Sequence, residues 1–265
     1  MKKRFLTIWF RHLTTDWLRL RRPELKTEAF VFAAHEQNRK VITAASQEAE
    51  LLGIRPGMPV ADARAMTPDL QVFDEKPDRA SRLLKGIGEW SIVYTPIVAV
   101  DPPDGLILDI SGCAHLWGGE QAYLKEITSR LKNHGYDVRA AIADTIGSAW
   151  GITRFGRSAS IVESGKTAEA LLDLPAAALR LEPAVLQRLN KLGLYQVKSF
   201  ISMPRSVLRR RFGESLLLRL AQALGHAEEH LQPLQIPPAW QERLPCMEPI
   251  RTRTGIEIAI KRLLE

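Results

Sequence analysis

A chain of 265 residues, 45% hydrophobic and 25% charged, has ordinary globular composition and enough length for one large domain or two to three small ones. No apolar run is long enough to cross a bilayer, and two distant cysteines, Cys113 and Cys246, exclude a disulfide scaffold and offer no zinc spacing. The net charge of +7 points to a polyanionic partner, of which nucleic acid is the commonest.

The N-terminal "MKKRFLTIWF" has a basic start, but Arg11 and His12 cut its apolar run and no small-residue cleavage site follows. It predicts a first strand over 4–10 in a cytoplasmic protein. A helix follows to Leu20 and stops at "RRPEL". "AFVFAAHEQNRKVITAAS" predicts strand, turn at Asn38-Arg39, strand. "SQEAELLGI" is a short helix capped by Ser46 and closed near Gly53, and "PVADARAMTPD" is another. Arg79 to Trp90 is amphipathic. "SIVYTPIVAVDP" and "LILDI" predict strands around a turn from Pro102 to Gly105. A helix over Glu120–Asn133, a strand over Tyr136–Ala143, a helix over Gly147–Phe155 and a short edge strand in "ASIVE" complete this part. Strands alternating with helices around that hairpin give an α+β architecture with helices on a sheet.

From Thr167 the pattern becomes short helices separated by Pro and Gly: "AEALLDL", "AVLQRLNKLGL", "QVKSFISM", "SVLRRRF" and "SLLLRLAQALG". His226 and His230 stand four apart, but Ala227 replaces the Glu of H-E-x-x-H, so that zinc signature is absent. "LQPLQIPP" is a proline-rich linker. "CMEPIRTRTGIEIAIKRLLE" then begins a strand–helix pattern, a domain only begun. The basic excess is uneven: from Lys166 onward 15 Lys/Arg stand against 10 Asp/Glu, a balance of +5.

The order of parts, with "VITAASQEAELLGIRPGMPVADARAMTPD", "PDGLILDISG" and "LQRLNKLGLYQVKSFISMP", resembles the Y-family (DinB/UmuC-type) translesion DNA polymerases over essentially the whole chain. "DGLILDISGCAHLWGGE" and "AIADTIGSAWGITRFG" are most similar to the ImuB branch, whose members accompany a mutagenic replicative-type polymerase. The resemblance implies a right-hand fold: palm 1–12 and 73–165, fingers 13–72, an all-helical, helix–hairpin–helix-like thumb 166–231, linker 232–243, and the start of a little finger 244–265.

Two-metal nucleotidyl transfer needs two or three carboxylates converging on one point. By the resemblance, the acids of the first strand fall on Trp9 and Arg11, and the Asp-Glu pair of the hairpin on Asp104 and Gly105. The triphosphate contacts fall on Gln47, Glu50 and Trp150, none a cation. Trp9 and Trp150 are expected to fill the vacated pocket against each other. Asp109 reads as an outward polar residue or a cap for the turn at Ser111-Gly112, and Trp117 as packing in the palm core. No catalytic, nucleotide or metal site is expected; Mg²⁺ enters only under the alternative of an active polymerase using Asp101, Asp104 and Asp109.

For DNA, the Gly-x-Gly hairpin of the thumb falls on Arg180-Leu181-Glu182, which lacks glycine. Arg180, Arg188, Lys191, Lys198 and the run Arg209-Arg210-Arg211 are candidate compensating cations; the run also reads as a solvated helix end complementing the dipole. Arg251 and Arg253 alternate on the expected first little-finger strand and share a face. The reading is a non-catalytic adaptor in mutagenic translesion synthesis and the SOS response, in the bacterial cytoplasm at the nucleoid. By the resemblance its partners are DNA, the sliding clamp, a RecA-like companion protein and an error-prone C-family DNA polymerase, with no membrane. "LQPLQIP" loosely resembles a clamp-binding peptide, but the pattern is short and a plain linker is the preferred reading. The alternatives are an active polymerase with displaced ligands and a scaffold that binds only proteins.

Overall fold

The computed structural model describes residues 3–156, 161–235 and 249–264, in two compact units, Met1–Leu234 and Gln235–Glu265. In the first unit β1 (Phe5–Phe10) leads into α1 (Leu13–Arg21). The hairpin of β2 (Phe30–Glu36) and β3 (Arg39–Ala45) turns through Gln37 and Asn38, both at positive φ, one residue earlier than the sequence suggests. Ser46 caps α2 (Gln47–Leu51), its Oγ accepting from Ala49 N at 3.1 Å, as its position before "QEAEL" predicts. α3 (Val60–Met66) follows, then β4 (Gln71–Asp74), which the sequence reading lacks. β4 pairs parallel to β2, closing a sheet of order β3-β2-β4. It straddles the boundary drawn at 72/73 and ties residues 73 and 74 to this smaller sheet.

α4 (Arg79–Trp90) then leads to β5 (Ile97–Asp101), β6 (Gly105–Asp109), α5 (Glu120–Asn133), β7 (Val138–Ala143) and α6 (Ile146–Phe155). The main sheet runs β5-β6-β1-β7, with β1 central and antiparallel to both neighbours. Strand alternation sorts its two faces. Leu6, Ile8, Phe10, Leu106, Leu108, Ala140 and Ile142 join one core with Leu84, Tyr123 and Ile127 of α4 and α5, and Trp117 packs against it, as its sequence position suggests. Thr7 and Trp9 point the other way, toward α6; the Thr7 and Thr153 hydroxyls meet at 2.5 Å. On that face β7 offers the small Ala141 and Ala143 to α6, while Arg139 reaches past the helix end and donates to Gly156 O.

The helical part comprises α7 (Thr167–Leu172), α8 (Pro183–Lys191), α9 (Arg205–Phe212) and α10 (Glu214–Leu224). Its core is continuous with α6 through Ala149 and Ile152. Gly147 and Gly151, one turn apart on α6, permit this: a Cβ on Gly151 would lie 2.9 Å from Ala178 O, and one on Gly147 3.0 Å from Ala223 Cα. His226 and His230 lie beyond the end of α10, so they share no helix face. Of "ASIVE", Ile161 bridges parallel to Ile142, while residues 157–160 fall outside the described set. Leu234 N donates to Val98 O at 2.7 Å on the outer edge of β5; most of the expected linker, 236–248, also lies outside the described residues.

In the second unit, α11 (Arg253–Leu264) replaces the strand expected around Arg251 and Arg253. Arg253 opens the helix and pairs with Glu257 one turn on, at 3.0 Å, while Arg251 precedes it. The two therefore do not share a strand face. Among the described residues no helix is long and apolar enough to cross a membrane.

Candidate functional site

The end of the β5–β6 hairpin brings two acids together. Asp101 closes β5 opposite Gly105, Asp104 sits in the intervening turn, and Trp9 on β1 pairs across from Gly105. From α6, Trp150 and Arg154 stand one turn apart and reach this point on the same helix face. Arg154 Nη2 donates to Asp104 Oδ1 at 2.7 Å and to Asp101 Oδ2 at 3.2 Å. Trp9 Nε1 donates to Asp104 Oδ2 at 2.8 Å and Trp150 Nε1 to Asp101 Oδ2 at 2.7 Å. Each acid therefore accepts one indole N–H and shares one guanidinium.

The tryptophans do not stack on each other, as the sequence suggested. Arg154 lies over both rings, 5.7 Å from the Trp9 centroid and 4.2 Å from Trp150. Its Nη1 has no hydrogen-bond partner among the described residues. The side chain is 10% exposed. Gly105 is fixed by the same crowding: a Cβ there would lie 2.8 Å from Asp101 Oδ2 and 3.1 Å from Arg154 Nη2. A larger side chain at this position has no room unless Asp101 and Arg154 move.

Two expectations change here. Arg11, at an acid position of the first strand and expected to put positive charge where metal charge belongs, turns instead to Asp137 Oδ2 at 3.3 Å, and the cation among the acids is Arg154. The surviving acid is also not alone, since the hairpin brings Asp101 beside Asp104. Asp109 behaves as expected of a cap, its Oδ1 accepting from Ser111 N at 2.9 Å at the far end of β6. Among the described residues no three His, Cys, Asp or Glu side chains gather as a metal site would require.

Beside the hairpin lies a cleft of about 400 Å³, lined in part by Arg11, His12, Thr43, Glu50, Glu75 and Asp104. Glu50 faces buried His12 at 3.8 Å, and Gln47 is exposed on α2. Three carboxylates thus line the cleft, against Arg11 and His12.

Residues 8–154, more than half of the chain, match the impB/mucB/samB family. The chain belongs to that family. It is 44% identical over 199 residues to Protein ImuB of Caulobacter vibrioides, covering 75% of this chain but only 43% of that relative. It is 25% identical over 215 residues to DNA polymerase IV of Desulfatibacillum aliphaticivorans, covering 80% of this chain and 54% of the relative. The chain thus spans roughly half the length of these curated relatives. Among solved structures, DinB from Sulfolobus solfataricus matches with a TM-score of 0.71 at 16% identity, covering 87% of this chain and 69% of that one. The insertion ternary complex of Dbh DNA polymerase matches with a TM-score of 0.72, covering 86% and 69%. The α+β fold of this impB/mucB/samB member is that of the Y-family polymerase palm and fingers.

The candidate DNA contacts are scattered over the helical part. Arg180 takes a left-handed conformation, φ 54, where the hairpin would carry glycine. Its charge is turned inward: Nη2 meets Glu229 Oε2 at 2.6 Å, and the guanidinium lies 5.6 Å from the Trp150 ring. It is therefore not a free phosphate contact. Lys198 pairs with Asp173 at 2.8 Å and Arg209 with Glu214 at 2.6 Å, both at the surface. Lys191, Arg210 and Arg211 are exposed and enter no ion pair among the described residues. Arg209 to Arg211 occupy the last turn of α9, where positive charge complements the helix dipole.

Proposed function

We propose that this chain is a non-catalytic Y-family homologue that acts as a DNA-binding adaptor in mutagenic translesion synthesis, within DNA damage tolerance. The observation that carries the reading is Arg154 seated between Asp101 and Asp104. A pair of Mg²⁺ ions bridging protein and triphosphate oxygens requires several free carboxylate oxygens. Here the donor set does not fit: Asp101 Oδ2 and both Asp104 oxygens accept from nitrogen donors, and a guanidinium stands beside them. Trp9 adds bulk and no oxygen ligand. Glu50 and Glu75 in the adjoining cleft disfavour a triphosphate.

The likeness to ImuB supports the wider role, in which the sliding clamp, a RecA-like companion protein and an error-prone C-family polymerase are the partners. The fold supports a division into palm, fingers and helical thumb near the boundaries drawn above. Lys191, Arg210, Arg211 and Arg251 are the cations best placed for phosphate, with Lys198, Arg209 and Arg253 available if their surface pairs open. A cytoplasmic site at the nucleoid follows from this role.

One observation favours a second reading. Asp101 and Asp104 do converge, as an active polymerase with displaced ligands would require. Primer extension with Mg²⁺ or Mn²⁺ decides between them. No incorporation is expected, together with primer–template binding whose log K falls steeply with log salt. Incorporation abolished by Asp104→Ala would overturn the adaptor reading. A flat salt dependence would leave a scaffold that binds only proteins.

A further inference from the structure

Two glycines interrupt α4, and only one has a packing reason. Helix-interior glycine is unfavourable, since it orders a free backbone and buries no side chain. A Cβ on Gly88 would collide with Leu234 Cδ1, so that position is shaped by the close approach of the chain after α10. A Cβ on Gly86 would meet nothing within 4 Å. Gly86 instead forms the lip of a notch of about 150 Å³ between the ends of α4 and α5, with Ile87, Trp90, Leu131, His134 and Tyr136 as walls. The lining is apolar and aromatic, and the walls are braced from behind: Trp90 packs edge-on to Tyr94 at 5.4 Å and Tyr136 edge-on to Phe10 at 5.7 Å. An apolar void of this volume suits one benzene-sized group.

The rim carries positive charge. Leu20 packs against Gly135, which brings the end of α1, with Arg21, to the notch. Lys132 lies in the last turn of α5 and Lys85 precedes Gly86 on α4. Neighbouring Arg19 and Arg130 are matched by Asp16 and Glu126, whereas Lys132 and Arg21, whose guanidinium lies over the Trp17 ring at 4.6 Å, enter no ion pair among the described residues. Glu89 meets Lys85 only at 4.0 Å. Leu20, 49% exposed, extends the apolar surface beyond the notch.

We propose that this notch is a docking site for an acidic segment of a partner protein, which inserts one bulky apolar side chain over Gly86 and sets its carboxylates against Arg21 and Lys132. The aromatic walls supply a desolvated anchor pocket and the cations fix the sign of the partner. Gly86 keeps the pocket open.

A phage-displayed random dodecapeptide library panned on the full chain tests this, with the Gly86→Leu chain as counter-target. Leucine favours helix over glycine, so α4 should stand, and far-UV circular dichroism checks that it does. Enriched peptides should share an aromatic or large aliphatic residue flanked by Asp or Glu. Synthetic copies should lose at least about tenfold in affinity on Gly86→Leu and on the Arg21→Glu/Lys132→Glu pair. No enrichment, peptides without acids, or equal binding to Gly86→Leu would overturn the proposal. A wild-type dimer that Gly86→Leu dissolves in sedimentation velocity would overturn it in favour of a second copy. Displacement of the peptides by a single-stranded oligonucleotide, itself weakened by Gly86→Leu, would assign the notch to nucleic acid.

Discussion

The two ends of β1 hold the same ionic inventory, one arginine and two acids, in different ways. At the start of the strand Arg4 uses its whole guanidinium. Nε and Nη2 take both oxygens of Glu120 at 2.6 and 2.5 Å, Nη1 takes Asp144 at 2.7 Å, and Nη2 also reaches Val162 O. Burial works against this charge, but Glu120 and Asp144 outweigh it, and the Arg4 pKa is raised above the ordinary arginine value. At the other end Arg154 serves both acids through Nη2 alone; Trp9 donates to the second Asp104 oxygen, and Trp150 shares Asp101 Oδ2 with the guanidinium. A planar fork matched to a carboxylate ties α5, β7 and β1 together. A fork that uses one tine holds two acids without matching either. The first cluster builds the fold, and the second, on the proposed reading, closes a site.

Removing each arginine sharpens that contrast. Arg4→Met leaves Glu120 and Asp144 facing each other with no cation, and breaking a buried pair from one side costs about 3–5 kcal/mol. The urea midpoint should fall accordingly. A loss below about 1 kcal/mol would place the Arg4 cluster with ordinary surface pairs and dissolve the comparison.

Arg154→Met should cost less, about 1–2 kcal/mol, because Asp104 is 32% exposed and both acids keep an indole donor. Its sharper effect is chemical. With the guanidinium gone, Asp101 and Asp104 face each other as the one pair of carboxylates at the hairpin, and divalent ion affinity should rise. Electron paramagnetic resonance of free Mn²⁺ gives the readout: bound Mn²⁺ should increase in Arg154→Met over the wild-type chain. Equal binding would show that Arg154 does not hold the ions out.

How much of this was legible depended on the range of the contacts. The helix over Glu120–Asn133 and the cap at Ser46 follow from local pattern and appear as predicted. Asp104, the acid expected to be retained, and Gly105 beside it could be placed because the hairpin "PDGLILD" marks its own turn, and Trp9 because the first strand is legible. Arg154 could not, since its partners lie 50 and 53 residues away and only the packing of α6 on β1 joins them. Its one signal was the four-residue spacing from Trp150. β4 escaped for a similar reason: four residues with no alternation become a strand only beside β2. In α11, Ile256, Ile258 and Ile260 alternate as a strand would, but Glu257, Ala259 and Lys261 between them favour helix, and the Arg253–Glu257 pair has helical spacing.

The smallest expected effect sets Asp144 of the Arg4 cluster against a second buried acid, Asp16, by acid titration. Burial pushes the Asp144 carboxyl up, but the Gly165 N–H and Arg4 prevail and hold it below the ordinary aspartate value. A depressed folded pKa stabilises the protein above the unfolded value, about 3.9, and that contribution is lost as pH falls through the folded pKa. Asp16, in the first turn of α1, has the opposite sign. Burial raises its pKa against the Asp137 N–H and Arg19, so its contribution is present at low pH and lost as pH rises through the raised value. Thermal midpoints measured on the acid side should therefore decline less steeply in Asp144→Asn than in the wild-type chain. In Asp16→Asn they should decline more steeply, because a term that favours the folded state in acid has gone. The same slopes in all three proteins would mean that neither carboxyl is coupled to folding, and that Arg4 gains its hold from Glu120 alone.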